Sequence, residues 1–250
     1  MGNETWLTPS KLLLLRNCII DAKNTNRFIP PRNQDTKRYL DYITTEFTSG
    51  ISQSRGSHIP FSRVTHTNVN SIATKITGLI GSNLNHQSIL ILKYCINELL
   101  SNVVEHSCYH NSFIIMQNYP HSSKLELAIM DDGISIPGNF EKYGISFTND
   151  SDSLDKAFQG VSTKQQEEGR GQGIQSVFRV LVKGLEGEGV IISRNGIFSN
   201  RFVPSSRLIE KTLYTYNKKQ LDIATIKGCF VAFSVRNDLS PNLYDYLESN

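Results

Sequence analysis

The chain has 250 residues, of which 38% are hydrophobic and 20% are charged, and its formal net charge is +3. This balance is typical of a folded globular protein and excludes a wholly disordered chain. The basic residues are scattered, so the charge does not favour a dedicated nucleic-acid-binding protein. No stretch approaches the roughly 18 consecutive apolar residues of a membrane-spanning helix, and we expect no membrane partner.

The cysteines and the N-terminus both favour a cytoplasmic protein. Cys18, Cys95, Cys108 and Cys229 are far apart and form neither a C-x-x-C pair nor a metal-ligand spacing. This usage is typical of a reducing compartment. Residues 1–6 also lack the basic-then-apolar order of a signal peptide.

The first third of the chain predicts helices without a recognisable motif. Apolar residues recur at helical spacing in residues 36–49 and 68–82. Residues 50–65 predict a loop or a short strand around residues 59–64. We therefore expect residues 1–86 to form a helical and irregular N-terminal extension, with a capping, oligomerisation or partner-binding role.

The centre of the chain predicts a long helix followed by a hairpin. Residues 87–107 carry a broad apolar surface at helical spacing. The period then changes from 3.6 to 2, and two strands are expected at residues 113–116 and 125–130. The turn residues between them predict an antiparallel pair.

The last part of the chain predicts two more helices and further strands. The helices are expected at residues 154–158 and 173–183, and the strands at residues 190–193, 197–203, 207–216 and 229–235. This order predicts an α+β fold, specifically a two-layer α/β sandwich. Its sheet should be mixed but mostly antiparallel, with helices on one face.

The central helix carries the first chemical pattern. Glu98 and Asn102 are four residues apart, and His106 follows after four more, so the three side chains share one helix face. The amide oxygen of Asn102 is a hard neutral ligand of the kind that Mg²⁺ accepts. A carboxylate one turn away, at Glu98, can activate a water molecule. Taken alone, the pattern also fits a solvated helix edge.

The second pattern follows the second hairpin strand, at Asp131, Asp132 and Gly133. A carboxylate at a buried strand end needs a hydrogen-bond partner, because its desolvation is costly. The amino group of adenine is such a donor, and Gly133 would let the backbone pass close to a flat ring. The same residues also fit an ordinary Asp-Gly turn.

The third pattern is a glycine cluster before the helix predicted at residues 173–183. It consists of Gly169, Arg170, Gly171, Gln172 and Gly173. Backbone N–H groups of glycines at a helix N-terminus form a phosphate site. The pattern is neither the dinucleotide fingerprint nor the Walker lysine motif.

In their order and separation, these patterns resemble the GHKL ATPase superfamily, which includes DNA gyrase, heat-shock chaperone ATPases and histidine kinases. The family's N box resembles residues 97–102, with Glu98 and Asn102 in its two key places. Its adenine-contacting Asp resembles Asp131, and its lid motif resembles residues 169–174. A late glycine before the last core strand resembles Gly228.

The resemblance implies the Bergerat fold for residues 87–240, with residues 241–250 as a tail, and it implies ATP and Mg²⁺ as ligands. It implies that Glu98 is catalytic, that Asn102 holds the metal and that Asp131 selects adenine. The other implied nucleotide contacts are Gly133, Ser135, Lys164, Gly169, Arg170, Gly171, Gly173 and Cys229. Two positions depart from the family pattern, because Ser135 replaces the second glycine of the adenine turn and Cys229 replaces a threonine.

The stretch from Glu98 to Ser107 is most similar to the stand-alone and anti-sigma-factor kinase branch of this superfamily, whereas the dimerising helix of sensor kinases is not recognisable. Two functions follow as expectations. The chain would be an ATPase or a protein serine kinase that acts as a nucleotide-controlled regulator. Alternatively, it would be a nucleotide-gated module with little turnover, which binds a protein partner or a second copy of itself.

Overall fold

The computed structural model describes residues 8–15, 29, 32–44, 57–80, 86–161, 173–215 and 226–247. In these ranges the helices are α1 (Pro9–Leu14), α2 (Gln34–Thr44), α3 (Val69–Ile80), α4 (His86–His106), α5 (Ile136–Lys142), α6 (Asp150–Phe158), α7 (Ile174–Phe178) and α8 (Tyr244–Leu247). A π-helical segment (Arg179–Gly184) continues α7, and a 3-10 turn (Pro120–Ser122) lies inside the hairpin. None of these helices is long and apolar enough to cross a membrane.

Seven strands form one sheet. They are β1 (His58–Arg63), β2 (Ser112–Tyr119), β3 (Lys124–Asp131), β4 (Glu188–Arg194), β5 (Gly196–Val203), β6 (Leu208–Thr215) and β7 (Ile226–Arg236). Their spatial order is β1-β2-β3-β7-β4-β5-β6. The six pairings described between them are all antiparallel, so the expectation of a mixed sheet is wrong. The α+β class and the predicted strands, including the one around residues 59–64, are confirmed.

The larger core lies between the sheet and α3, α4 and the π-helical segment. Alternate strand residues point into it, among them Ile114 of β2 and Leu127 of β3. They meet buried residues of α4 such as Leu99 and Leu100, which lie on its apolar stripe. This core holds α4 against the sheet from Ile91 to Val103.

The opposite face of the sheet is also covered, so the prediction of helices on one face is wrong. Helix α1 packs against β2, β3 and β7, and α2 packs against β1. Leu12 and Leu13 of α1 meet Phe113 and Ile115 of β2, which point away from the first core. The physical reason is the apolar run at residues 113–116, because successive side chains of a strand point to opposite faces and both must be buried.

The boundary expected at residue 86 is not a break in the fold. Strand β1 pairs with β2 in the main sheet, and Ile59 belongs to the larger core. Helix α3 packs along α4, where Ile72 and Ile76 are fully or almost fully buried. Residues 58–80 are therefore part of the same folded unit as α4.

Candidate functional site

The carboxyl of Asp131 lies buried at the end of β3, with 5% of the residue exposed. The Gly133 N–H donates to its Oδ1 at 2.9 Å, and the Cys229 N–H and the Ser107 hydroxyl also contact it. Burial, reinforced by the charge of Asp132, raises the pKa of Asp131 to about 7, although these hydrogen bonds oppose the shift. Its described hydrogen-bond partners are all uncharged, so no described cation offsets the burial of this carboxyl.

Two glycines allow the backbone to close around Asp131. A Cβ atom at Gly133 would lie 2.0 Å from the carbonyl oxygen of Ser107. A Cβ atom at Gly228 would lie 2.5 Å from Oδ1 of Asp131 and 2.3 Å from its carbonyl oxygen. All three distances are far below van der Waals contact, so a side chain at either position would displace the carboxyl or its supports.

Ser107, at the end of α4, connects that helix to the turn after β3. Its hydroxyl donates to the Val103 carbonyl at 2.7 Å, and its own carbonyl accepts from the Ile134 N–H. Asn102 lies on α4 little more than one turn before Ser107. The structure therefore brings the predicted metal-binding end of α4 and the predicted adenine turn together.

The part of α4 around Tyr94 is connected to Gly173 through Ser176. The hydroxyls of Tyr94 and Ser176 are 2.9 Å apart, and the Ser176 hydroxyl donates to the Gly173 carbonyl at 2.8 Å. Tyr94, Glu98 and Asn102 follow one another at four-residue intervals, and Glu98 and Asn102 are both partly exposed. One strip of α4 thus runs from Gly173 to the neighbourhood of Asp131.

Gly173 is the one predicted residue of the glycine cluster that the structure describes. It immediately precedes α7 and has a φ of +60°, a backbone conformation that favours glycine. Lys164, Gly169, Arg170 and Gly171 lie outside the described residues.

Ser135 has a structural role that the sequence did not predict. Its hydroxyl accepts from the Gly138 N–H at 3.1 Å and so caps α5, a helix that the sequence analysis missed. This hydrogen bond uses the Ser135 oxygen as an acceptor and leaves its hydroxyl proton available to a further acceptor, so the nucleotide contact of Ser135 stays a prediction. The signal was present in the sequence, because a serine shortly before Pro137 is a helix-start pattern.

Ser193 was missed by the sequence analysis and supports the site from behind. Its hydroxyl donates to the Gly228 carbonyl at 2.9 Å and accepts from the Ile136 N–H at 3.1 Å. The thiol of Cys229 also hydrogen-bonds to Ser193, and burial raises the pKa of that thiol. Ser193 thereby joins β4, β7 and α5 beside Asp131. Isolated serines such as Ser107 and Ser193 form no sequence pattern that would have identified them.

Asp132 lies in an environment opposite to that of its neighbour. Its carboxylate accepts from the His110 N–H at 2.8 Å, the Asn111 N–H at 2.7 Å and the Asn111 side-chain amide at 2.9 Å. Partial burial raises the pKa of Asp132, but these hydrogen bonds outweigh it and the net pKa is lowered. Asp132 is therefore an ionised residue that holds the loop at residues 107–111. Asp131, in contrast, is the carboxyl whose pKa is raised.

The chain matches no protein-family model, no curated protein and no solved structure.

Proposed function

We propose that this chain is a Mg²⁺-dependent ATP-binding regulator of the GHKL type, which hydrolyses ATP slowly or transfers its phosphate to a protein serine. The observation that carries this proposal is the buried carboxyl of Asp131, enclosed by Gly133 and Gly228 without a described cationic partner. A buried carboxyl with a raised pKa is costly for folding and is characteristic of functional sites.

The donor chemistry at Asp131 fits adenine. The exocyclic amino group of adenine is a neutral hydrogen-bond donor, whereas guanine presents a carbonyl oxygen at the equivalent position. A carboxylate held by Gly133, Cys229 and Ser107 would accept from the first and repel the second. The same contacts keep the carboxyl in one orientation, which reduces the ordering cost of binding.

The strip of α4 that carries Tyr94, Glu98 and Asn102 fits the phosphate end of the nucleotide. Within the described ranges, no group of three or more His, Cys, Asp or Glu side chains is arranged to hold a metal ion. A Mg²⁺ ion at Asn102 would therefore take its other ligands from phosphate oxygens and water, as it does in nucleotide sites generally. Glu98, one helical turn from Asn102, would orient or deprotonate a water or a substrate hydroxyl. Lys164, Gly169, Arg170 and Gly171 are proposed to contact the phosphates.

A phosphate-release assay on Glu98→Ala tests the enzymatic part of this proposal. We expect release to fall at least about tenfold, because a general base typically contributes two or more orders of magnitude. The Kd for ATP should change by less than about threefold, since Glu98 is proposed to act on water rather than on the nucleotide. Glu105→Ala, an exposed carboxylate on the same helix, is the matched control. Negligible release by both wild type and Glu98→Ala would overturn catalysis and favour the gated binding module.

Tyr94→Phe tests whether α4 and Gly173 act on the phosphates together. The variant removes the hydroxyl that lies 2.9 Å from Ser176 Oγ and keeps the ring. We expect about a threefold to tenfold weaker Kd for ATP, which corresponds to roughly 1 kcal/mol for one hydrogen bond. The Kd for adenosine should be unchanged, because adenosine lacks phosphates. Ser176→Ala should produce a selective loss at least as large, because it also removes the hydrogen bond to the Gly173 carbonyl, and the double variant should lose no more than Ser176→Ala alone. Equal losses for ATP and adenosine would contradict this role.

A further inference from the structure

The two edges of the described sheet differ in exposure. At one edge, the inner residues of β1 (Ile59, Pro60, Phe61 and Ser62) are buried, and α2 packs against this strand. At the other edge, residues 208–213 of β6 are all exposed, although α6 also packs against this strand. Such an edge strand offers unpaired backbone groups to another strand, and proteins normally protect it. The contrast identifies β6 as the accessible edge.

The accessible edge carries apolar side chains. Ile209 is 38% exposed and Leu213 is 39% exposed, and both lie on the sheet face that also carries Lys211. Ile209 pairs with Phe202 of β5, and Leu213 pairs with Phe198 of β5. This face therefore continues the apolar surface of the larger core. Ile209 and Leu213 therefore extend the core surface to the rim of the sheet.

The charges on β6 are already neutralised by residues of the same chain. Lys211 Nζ is 2.8 Å from Asp155 Oδ1, and a guanidinium nitrogen of Arg201 is 2.6 Å from Glu210 Oε2. Lysines on an edge strand normally deter pairing by charge repulsion. Here the ion pairs reduce that repulsion, and the approach of a neutral strand edge is not opposed.

We propose that β6 pairs with β6 of a second copy of this chain, antiparallel and across a twofold axis at Lys211, so that the two sheets become continuous. A twofold axis that relates neighbouring antiparallel strands is perpendicular to the sheet, and residues directly opposite each other then share a face. With the axis at Lys211, Ile209 lies opposite Leu213 of the second copy, and this apolar pair occurs twice.

Neighbouring registers pair the same residues less favourably. An axis at Glu210 would place two glutamates opposite each other and Ile209 opposite Lys211. An axis at Thr212 would place Leu213 opposite Lys211. At the Lys211 axis, the two lysines meet together with the two Asp155 carboxylates, which gives a neutral cluster of four charges. Because Glu210 is also paired within its own chain, by Arg201, charge does not separate the registers, and the apolar pairing of Ile209 with Leu213 favours the Lys211 axis, independently of nucleotide binding.

Sedimentation velocity on the full chain across a concentration series tests the dimer. We expect a concentration-dependent dimer in the wild type and at least a tenfold weaker dimer in the double variant Ile209→Lys/Leu213→Lys. Leu90→Lys is the control, because Leu90 is 41% exposed on α4 and lies on no strand edge. A wild type that stays monomeric at about 100 μM, or a double variant that dimerises as well as Leu90→Lys, would overturn the proposal.

A crosslinking pair tests the register without disturbing the apolar residues. In a background with Cys18→Ser and Cys108→Ser, Lys211→Cys should form an intermolecular disulfide under mild oxidation. Directly opposite Cβ atoms are about 5 Å apart, close to the spacing that a disulfide requires. Glu210→Cys should not crosslink, because its symmetry mate is diagonal and about 7–8 Å away. Equal crosslinking by both variants, or by neither, would overturn the Lys211 axis.

Discussion

Asp131→Asn is expected to weaken ATP binding by roughly 2–3 kcal/mol, or about 30- to 150-fold in Kd, because it replaces a charged acceptor with a neutral amide. The amide also presents donors, and one of these would face the amino group of adenine. Isothermal titration calorimetry with ATP and Mg²⁺ measures the change. An unaltered Kd would contradict the assignment of Asp131 to adenine.

The same substitution is expected to stabilise the nucleotide-free protein above pH 7. The folded pKa of Asp131 is about 7, whereas the ordinary value is 3.8, so the folded state binds more protons between these two values. The unfolding free energy contributed by this residue therefore falls as pH rises from about 4 to 7, by up to roughly 4 kcal/mol. Asparagine does not titrate, so the unfolding free energy of the variant should increase relative to that of the wild type as pH rises.

Urea unfolding at pH 4.5, 6 and 8 measures this difference between wild type and Asp131→Asn. Asp132→Asn is the matched control, because the pKa of Asp132 is lowered by its hydrogen bonds and the substitution should cost stability at neutral pH. ATP binding by the wild type should also weaken below about pH 7, since a protonated Asp131 is a poorer acceptor. If the stability difference between Asp131→Asn and the wild type does not change with pH, the raised pKa of the buried Asp131 carboxyl is contradicted.

Gly133→Ala is expected to lower the unfolding free energy by about 3 kcal/mol or more, because the new methyl group would lie 2.0 Å from a backbone oxygen. The Ser107 carbonyl cannot move without disturbing the end of α4 and the Ile134 N–H that it accepts from. The hydrogen bond from Gly133 to Asp131 would be displaced as well. Nucleotide binding should therefore be lost together with stability.

Gly78→Ala is the matched control for this prediction. Gly78 lies within α3, and a Cβ atom there has no neighbour within 4 Å. The substitution should stabilise the protein by up to about 1 kcal/mol, because alanine favours the helix over glycine. Thermal or urea unfolding of both variants gives the comparison. If Gly133→Ala lowers the unfolding free energy by less than about 1 kcal/mol, the turn can open away from Ser107 and the prediction is wrong.

Local periodicity predicted most of the secondary structure. The helix expected at residues 87–107 is found at His86–His106, and the hairpin strands expected at residues 113–116 and 125–130 lie within β2 and β3. These elements are dictated by the spacing of their own apolar residues, which a single segment contains. The short helix α5 was missed because its capping serine belonged to a stretch interpreted as an irregular loop.

The apolar spacing of the chain alone determined the α+β class, the long α4 helix and the β2–β3 hairpin, and the sequence located Glu98 on that helix and Asp131 at the end of a strand. Only the tertiary structure decided which faces are covered, how β1 joins the sheet, and that Ser107 and Ser193 support Asp131. The physical reason is the distance along the chain between the residues that determine each feature. A helix or strand follows from residues within one or two turns, whereas the burial of Asp131 and its raised pKa depend on α4, β4 and β7, which meet it only after folding.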